Sequence, residues 1–329
     1  MTLPDHTNPT SLAYPDIEAA AARIAGQVRP VTVTQQGNDG IVFALEFMQH
    51  TGTFKARGAQ NFIQAHLAEG TFPEAGVTIA SGGNAGLACA WAARAAGVPA
   101  TVFLPTTAPS VKVERLRSYG ARVELVGSEF AEAAAACQEF VESSGALASH
   151  AYDHPLIAAG AGTLMTEILE QVPDLDTVVV SVGGGGLFAG VATAATHHGV
   201  RTVAVEPENC RALSAAIEAG EPVDVTVDSV AADSLGARRA TSLALEAARS
   251  DLVTSVLVSD DAIIEARQRL WDEHRLAVEH AAATALAGVS GGGRGKTASD
   301  GKSPGGYVPA EKEKVCVVLC GANTSLSDL

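Results

Sequence analysis

Thr51-Gly52-Thr53-Phe54-Lys55-Ala56-Arg57-Gly58-Ala59 joins a strand-like run, Ile41 to Phe47, to a helix-like run that begins at Ala59. Gly52 supplies the turn between them. The chain has six lysines, and five lie in charged, polar or glycine-rich surroundings. Lys55 instead follows an aromatic residue and precedes an alanine. A lysine at a strand-to-helix junction sits at the mouth of a cleft. Partial desolvation there lowers its pKa and frees a neutral amine to act as nucleophile or base. On this stretch alone, a surface lysine on a turn is the competing interpretation.

Downstream, strand and helix alternate. Val77 to Ala80 leads to a helix over 85–96, Ala100 to Leu104 to one over 110–119, and Arg122 to Val126 to one over 129–143. A second series runs through a helix over 163–171, the apolar strand 177–182, a helix over 187–197, strand 201–205 and a helix over 211–219. Strand 252–258, helices 260–273 and 278–287, and strand 315–319 complete it. Upstream, 16–26 has helical spacing, and 31–34 and 41–47 are strands around the turn signal Gly37-Asn38-Asp39-Gly40. This alternation predicts an α/β fold with parallel-rich sheets covered by helices on both faces. At 329 residues the chain is expected to divide into two lobes. The division places 1–64 and 148–329 in a large lobe and 65–147 in a small inserted one. Residues 290–306, rich in Gly, Ser, Lys and Arg, read as a flexible loop.

A net charge of −15 argues against nucleic acid and anionic membrane surfaces as partners. No apolar run reaches the length of a membrane span, and the first residues lack a signal-peptide pattern. Five irregularly spaced cysteines fit reduced thiols and a cytoplasmic setting. Cys316 and Cys320 fall four apart on the last strand, without a second pair of ligands, and no metal site is expected.

Two further loops carry chemistry. Ser181-Val182-Gly183-Gly184-Gly185-Gly186-Leu187 follows the most apolar strand and opens a helix. Consecutive glycines let backbone N–H groups approach a ligand, and at a helix N-terminus those donors hold a phosphate. A dinucleotide site or a bare turn remains open from this stretch alone. Ser81-Gly82-Gly83-Asn84-Ala85-Gly86 is a similar junction, suited to a carboxylate or to ordinary helix capping. Loops at the carboxyl ends of parallel strands converge on one crevice, which would gather Lys55 and both loops.

Thr53 to Gly58 is similar to the Ser-Phe-Lys-x-Arg-Gly motif of the fold-type II pyridoxal-phosphate enzymes. Ser81 to Gly86 resembles their Ser-x-Gly-Asn loop, and Gly183 to Leu187 their tetraglycine phosphate loop. Val205-Glu206-Pro207-Glu208 and Cys320-Gly321-Ala322-Asn323 match in order and rough spacing. The chain thus resembles the threonine/serine dehydratase, serine racemase-like branch, with the two-lobed tryptophan synthase beta-like fold. The resemblance implies pyridoxal 5'-phosphate bound through Lys55, which also removes the substrate's α-proton. Phe54 would back the pyridine ring, Asn84 contact its phenolic oxygen and Cys320 face its nitrogen. Gly183, Gly184, Gly185, Gly186 and Leu187 would hold the phosphate; Ser81, Gly82 and Ala85 would bind the substrate carboxylate. It further implies a homodimer and a small amino-acid substrate, with water eliminated from L-threonine or L-serine. A β-replacing relative, of cysteine-synthase or threonine-synthase type, and a non-catalytic cofactor-binding protein are the alternatives.

The chain departs from the family pattern in places. Ala85 stands where the dehydratases usually have histidine, and Gly160-Ala161-Gly162-Thr163 replaces Gly-Gln-Gly-Thr. Asp233-Ser234 replaces Asp-Gly. Gly82 stands where serine racemases carry the serine that serves as their second acid/base. Glu206 and Asp233 would lie near a cation in some relatives; a helix-capping or solvated carboxylate is the simpler interpretation.

Overall fold

The structure, a computed structural model, describes residues 11–35, 40–289 and 306–325. The turn residues 37–39 and nearly all of the expected loop 290–306 lie outside the described residues. Helix α1 (Tyr14–Ile24) is followed by strand β1 (Ile41–Ala44) and helix α2 (Lys55–Ala68). Next come β2 (Val77–Ala80), α3 (Asn84–Ala96), β3 (Ala100–Leu104), α4 (Ser110–Ser118), β4 (Arg122–Leu125), α5 (Phe130–Ser144) and β5 (Leu147–Ala148). The chain continues through α6 (Pro155–Gln171), β6 (Thr177–Ser181), α7 (Gly186–His197), β7 (Arg201–Pro207) and α8 (Ala212–Ala219). It ends with α9 (Ala232–Leu235), α10 (Ser242–Ala247), β8 (Val253–Val258), α11 (Asp260–His274), α12 (His280–Ala287) and β9 (Val315–Val318).

Two parallel sheets result, in the orders β1-β9-β6-β7-β8 and β4-β3-β2-β5. Strands β6 and β9 are fully buried, as continuous apolar runs in a covered parallel sheet must be. Each sheet has its own apolar core. Val178, Val180, Val203 and Val317 belong to the first, Val77, Ile79 and Val102 to the second. Helix α2 feeds the second core through Ala59, Phe62 and Ile63, so position 64 falls inside this helix.

The chain leaves the large sheet through α2 and returns through α6, and the two helices pack side by side. Helix α6 begins at Pro155, eight residues before the expected start, because Gly160 and Gly162 do not break it. A Cβ on Gly160 would lie 2.7 Å from Arg57 O, and one on Gly162 2.8 Å from Gly190 O. The glycines let α6 approach α2 on one side and α7 on the other. Arg57 crosses this junction fully buried. Its guanidinium donates to Glu46 (2.7 and 3.1 Å), Glu167 (2.7 and 2.8 Å) and Thr163 (3.1 Å).

The segment 31–34 forms only an isolated antiparallel bridge, Val33 to Ala44. β1 stops at Ala44 and gives way to 3-10 turns, Glu46–Met48 and His50–Gly52. Cys320 falls beyond the end of β9, so the two late cysteines do not share a strand.

Candidate active site

The turn before Lys55 is strained. Thr51 has φ 64°, uncommon for a β-branched residue, and Gly52 follows at φ 79°. Asn323 Nδ2 donates to Thr51 O at 2.8 Å, and Phe54 N donates to Cys320 O at 3.0 Å. A bridge pairs Thr53 with Gly321. The residues after β9 therefore fix the backbone that presents Lys55. Its Nζ donates to Ala151 O at 2.8 Å and lies 4.8 Å from the Phe54 ring centroid and 5.9 Å from that of Tyr152. Part of the residue reaches the surface, but its amine is enclosed. Burial pushes the Lys55 pKa down to about 8, against the opposing influence of Cys320 and Glu279. A cavity of about 10 Å³, enough for about one water, lies beside it, lined by Ala59, Ala85, Ala88, Ser149, His150 and Ile157 among others. A larger hollow of about 440 Å³ between α11 and α12 contains none of the expected site residues.

The second loop closes on itself at the start of α3. Ser81 Oγ accepts from Gly83 N at 3.4 Å, and a Cβ on Gly86 would meet Ser81 O at 1.8 Å, so only glycine fits there. Ala85 is buried and Gly82 half-buried. The Asn84 side chain is held at both ends. Its Nδ2 donates to the Glu279 carboxylate at 3.1 and 3.0 Å, and its Oδ1 accepts from Asn323 Nδ2 at 2.8 Å.

The tetraglycine turn joins β6 to α7. Gly185, at φ 98°, is the N-cap. Cβ atoms on Gly184 and Gly185 would lie 2.3 Å from the Tyr152 ring and from Ala244 Cβ. No acceptor among the described residues takes the N–H groups of Gly183, Gly184 and Gly185. Together with the unsatisfied first turn of α7, they form a cradle of donors with the positive helix end behind it. Leu187, in that turn, is buried. Cys320 Sγ lies 3.6 Å from Ser181 Oγ, where β6 ends. Burial pushes its thiol up to about 12, so it is neutral.

Tyr152 and Glu279 were not among the expected site residues. Tyr152 stands between Lys55 and the tetraglycine turn. Glu279 is 3% exposed and is the N-cap of α12, a helix expected to begin two residues earlier, at Val278. A lone acid before an alanine run was the available signal. Glu206 accepts from Leu213 N (2.7 Å) and Ser214 N (2.8 Å), so it caps α8. Burial raises its pKa to about 7, against those hydrogen bonds. The described residues contain no group of three His, Cys, Asp or Glu placed to hold a metal ion.

A buried amine of lowered pKa and a donor cradle suit a cofactor with an aldehyde and a phosphate. The profile of the pyridoxal-phosphate dependent enzymes matches residues 28–321. The chain belongs to that family. It is 39% identical over 251 residues to an L-threonine ammonia-lyase of Geobacter sulfurreducens, covering 76% of this chain and 62% of that one. The chain thus spans less than two thirds of that relative's length. It is 33% identical over 305 residues to a mouse serine dehydratase-like protein, covering 92% and 90%. Among solved structures, maize serine racemase superposes with a TM-score of 0.82 at 29% identity, covering 97% and 95%. The two-lobed fold-type II architecture is that of these relatives, and pyridoxal 5'-phosphate is the family's cofactor. No described helix is long and apolar enough to cross a membrane.

Proposed function

We propose that the chain is an L-threonine/L-serine ammonia-lyase, which eliminates water to give 2-oxobutanoate or pyruvate and ammonia. The observation that carries this reading is Lys55, an enclosed amine of lowered pKa at the start of α2. The names of the relatives, threonine ammonia-lyase and serine dehydratase-like, set the reaction class.

When bound, pyridoxal 5'-phosphate supplies an electron sink for the bond broken at the α-carbon. The protein's own groups do the rest. Lys55 anchors the cofactor and takes the α-proton, because an amine of pKa about 8 is partly neutral near pH 7.5. Phe54 backs the ring. Asn84 would offer an N–H to the phenolic oxygen. The N–H groups of Gly183 to Gly186 and Leu187 hold the phosphate. Ser81, Gly82 and Ala85 hold the substrate carboxylate at the start of α3. Cys320, as a neutral thiol, would offer the ring nitrogen only a weak hydrogen bond and no charge of the kind a carboxylate supplies. We assign 1–64 and 148–329 to a large cofactor-binding unit and 65–147 to an inserted one, and expect a homodimer in the cytoplasm.

An absorption scan of the purified chain tests the first half of the proposal and ketoacid release from L-threonine the second. A colourless chain that takes up no added cofactor sinks the site assignment. A coloured chain that releases no ketoacid from either amino acid leaves a different reaction.

A further inference from the structure

The amide of Asn84 lies inside a chain of hydrogen bonds whose direction is set by a charge at each end. Arg115 on α4 donates to Asn323 Oδ1 at 2.6 Å. Asn323 Nδ2 donates to Thr51 O and to Asn84 Oδ1, both at 2.8 Å. Asn84 Nδ2 donates to the Glu279 carboxylate. A guanidinium only donates and an ionised carboxylate only accepts, so neither amide can be turned over without opposing like groups. Glu279 also accepts from Asn323 N at 2.8 Å and Ser234 Oγ at 3.0 Å, so its two oxygens face donors. Counting donors along the chain, both Nδ2 hydrogens of Asn323 are engaged. The two Glu279 oxygens lie too close together to meet both Asn84 Nδ2 hydrogens, which diverge by about 120°, so they share one and leave Asn84 the other.

We propose that Glu279 is a positioning residue: its carboxylate, with Arg115 at the far end of the chain, orients Asn84 so that one N–H faces the cofactor. This rests on the assignment of Asn84 to the cofactor's phenolic oxygen. A reversed amide would present its oxygen to another oxygen, a repulsion in place of a charge-assisted bond. Glu279 touches neither cofactor nor substrate in this role. It acts through Asn84, and so its effect has to vanish when Asn84 is removed.

The test is a double-mutant cycle on cofactor affinity, read by absorbance titration of the cofactor-free chain with pyridoxal 5'-phosphate. The set is wild type, Glu279→Gln, Asn84→Ala and the pair. Glu279→Gln removes the charge and replaces one of the two oxygens that face Asn84 Nδ2 with an N–H donor, and should weaken binding roughly tenfold, the scale of one charge-assisted hydrogen bond. In the Asn84→Ala background the same substitution should change nothing. Arg115→Met, at an exposed position, should give a smaller loss that also disappears in that background, and it serves if Glu279→Gln does not fold. Equal losses in both backgrounds, or no loss from either Glu279→Gln or Arg115→Met, would overturn the inference while leaving the cofactor site standing. A wild-type chain that binds no cofactor would overturn the site assignment and this inference with it.

Discussion

Replacing Lys55 with methionine should destroy the site and stabilise the cofactor-free protein. The amine has a pKa of about 8 in the folded chain against 10.5 for a free lysine, so burying the cation costs about 3 kcal/mol at pH 7. Methionine has similar length and no charge. Its cost is the lost bond to Ala151 O, about 1 kcal/mol for an acceptor left without its donor. Because part of Lys55 reaches solvent, water screens the charge, and the net gain is at most about 2 kcal/mol. In a chain of this size that is a rise of roughly 4 °C in Tm. The pH dependence carries the sign. Between pH 8 and 10.5 the unfolded wild type binds a proton that the folded wild type has released, so wild-type stability rises through that window. The advantage of the variant is therefore full below pH 8 and gone by about pH 10. Thermal melts of both cofactor-free proteins at pH 7, 9 and 10 measure it. A variant less stable at pH 7, or a difference that ignores pH, refutes the claim that Lys55 is held as a desolvated amine.

Gly184→Ala drives a Cβ to 2.3 Å from the Tyr152 ring, and should cost about 1–3 kcal/mol and weaken cofactor binding; unchanged affinity in a titration would mark the turn as purely structural. Arg57→Leu leaves Glu46 and Glu167 facing each other without their cation, and should cost about 3–5 kcal/mol by chemical denaturation; a loss below about 1 kcal/mol would show that the ion cluster is dispensable. Wild type should form pyruvate from L-serine without comparable D-serine, since Gly82 has no side chain to return a proton on the face opposite Lys55. Chiral chromatography showing D-serine at the pyruvate rate would contradict this. Gly82→Ser should raise D-serine above background, because it adds a hydroxyl on that face; its Cβ would lie 2.7 Å from the end of the Leu104 side chain, which has to shift to admit it.

Local pattern carried the sheet elements and the two glycine-bearing loops, because apolar runs and turn residues act within a few positions. It misled at α6, where the expected helix began only at Thr163, after Gly160 and Gly162. Their purpose is visible only once α2 and α7 lie against them. It misled again at 45–47, expected to continue the strand, where the chain must turn to bring Lys55 into place. Glu279 was missed because nothing within ten residues of it bears on its role. Its partners Asn84 and Ser234 are 195 and 45 positions away. Tyr152 was missed for the same reason: the glycines it covers are more than thirty positions on.

The pairing of β1 with β9 sets a condition on synthesis. Ile41 lies opposite Val315, and Phe54 N is bonded to Cys320 O. A ribosome making about 5–20 residues per second releases these partners roughly 14–55 seconds apart. For that interval the edge of β1 has no neighbour, and the turn before Lys55 has nothing to hold Thr51 at its unfavourable φ. The nascent chain therefore exposes an unpaired strand edge until β9 emerges, and the turn that presents Lys55 gains its anchor only once Cys320 is made. A chain stopped just short of Val315 would carry most of its core residues yet lack the strand and the Cys320 carbonyl that hold the turn before Lys55.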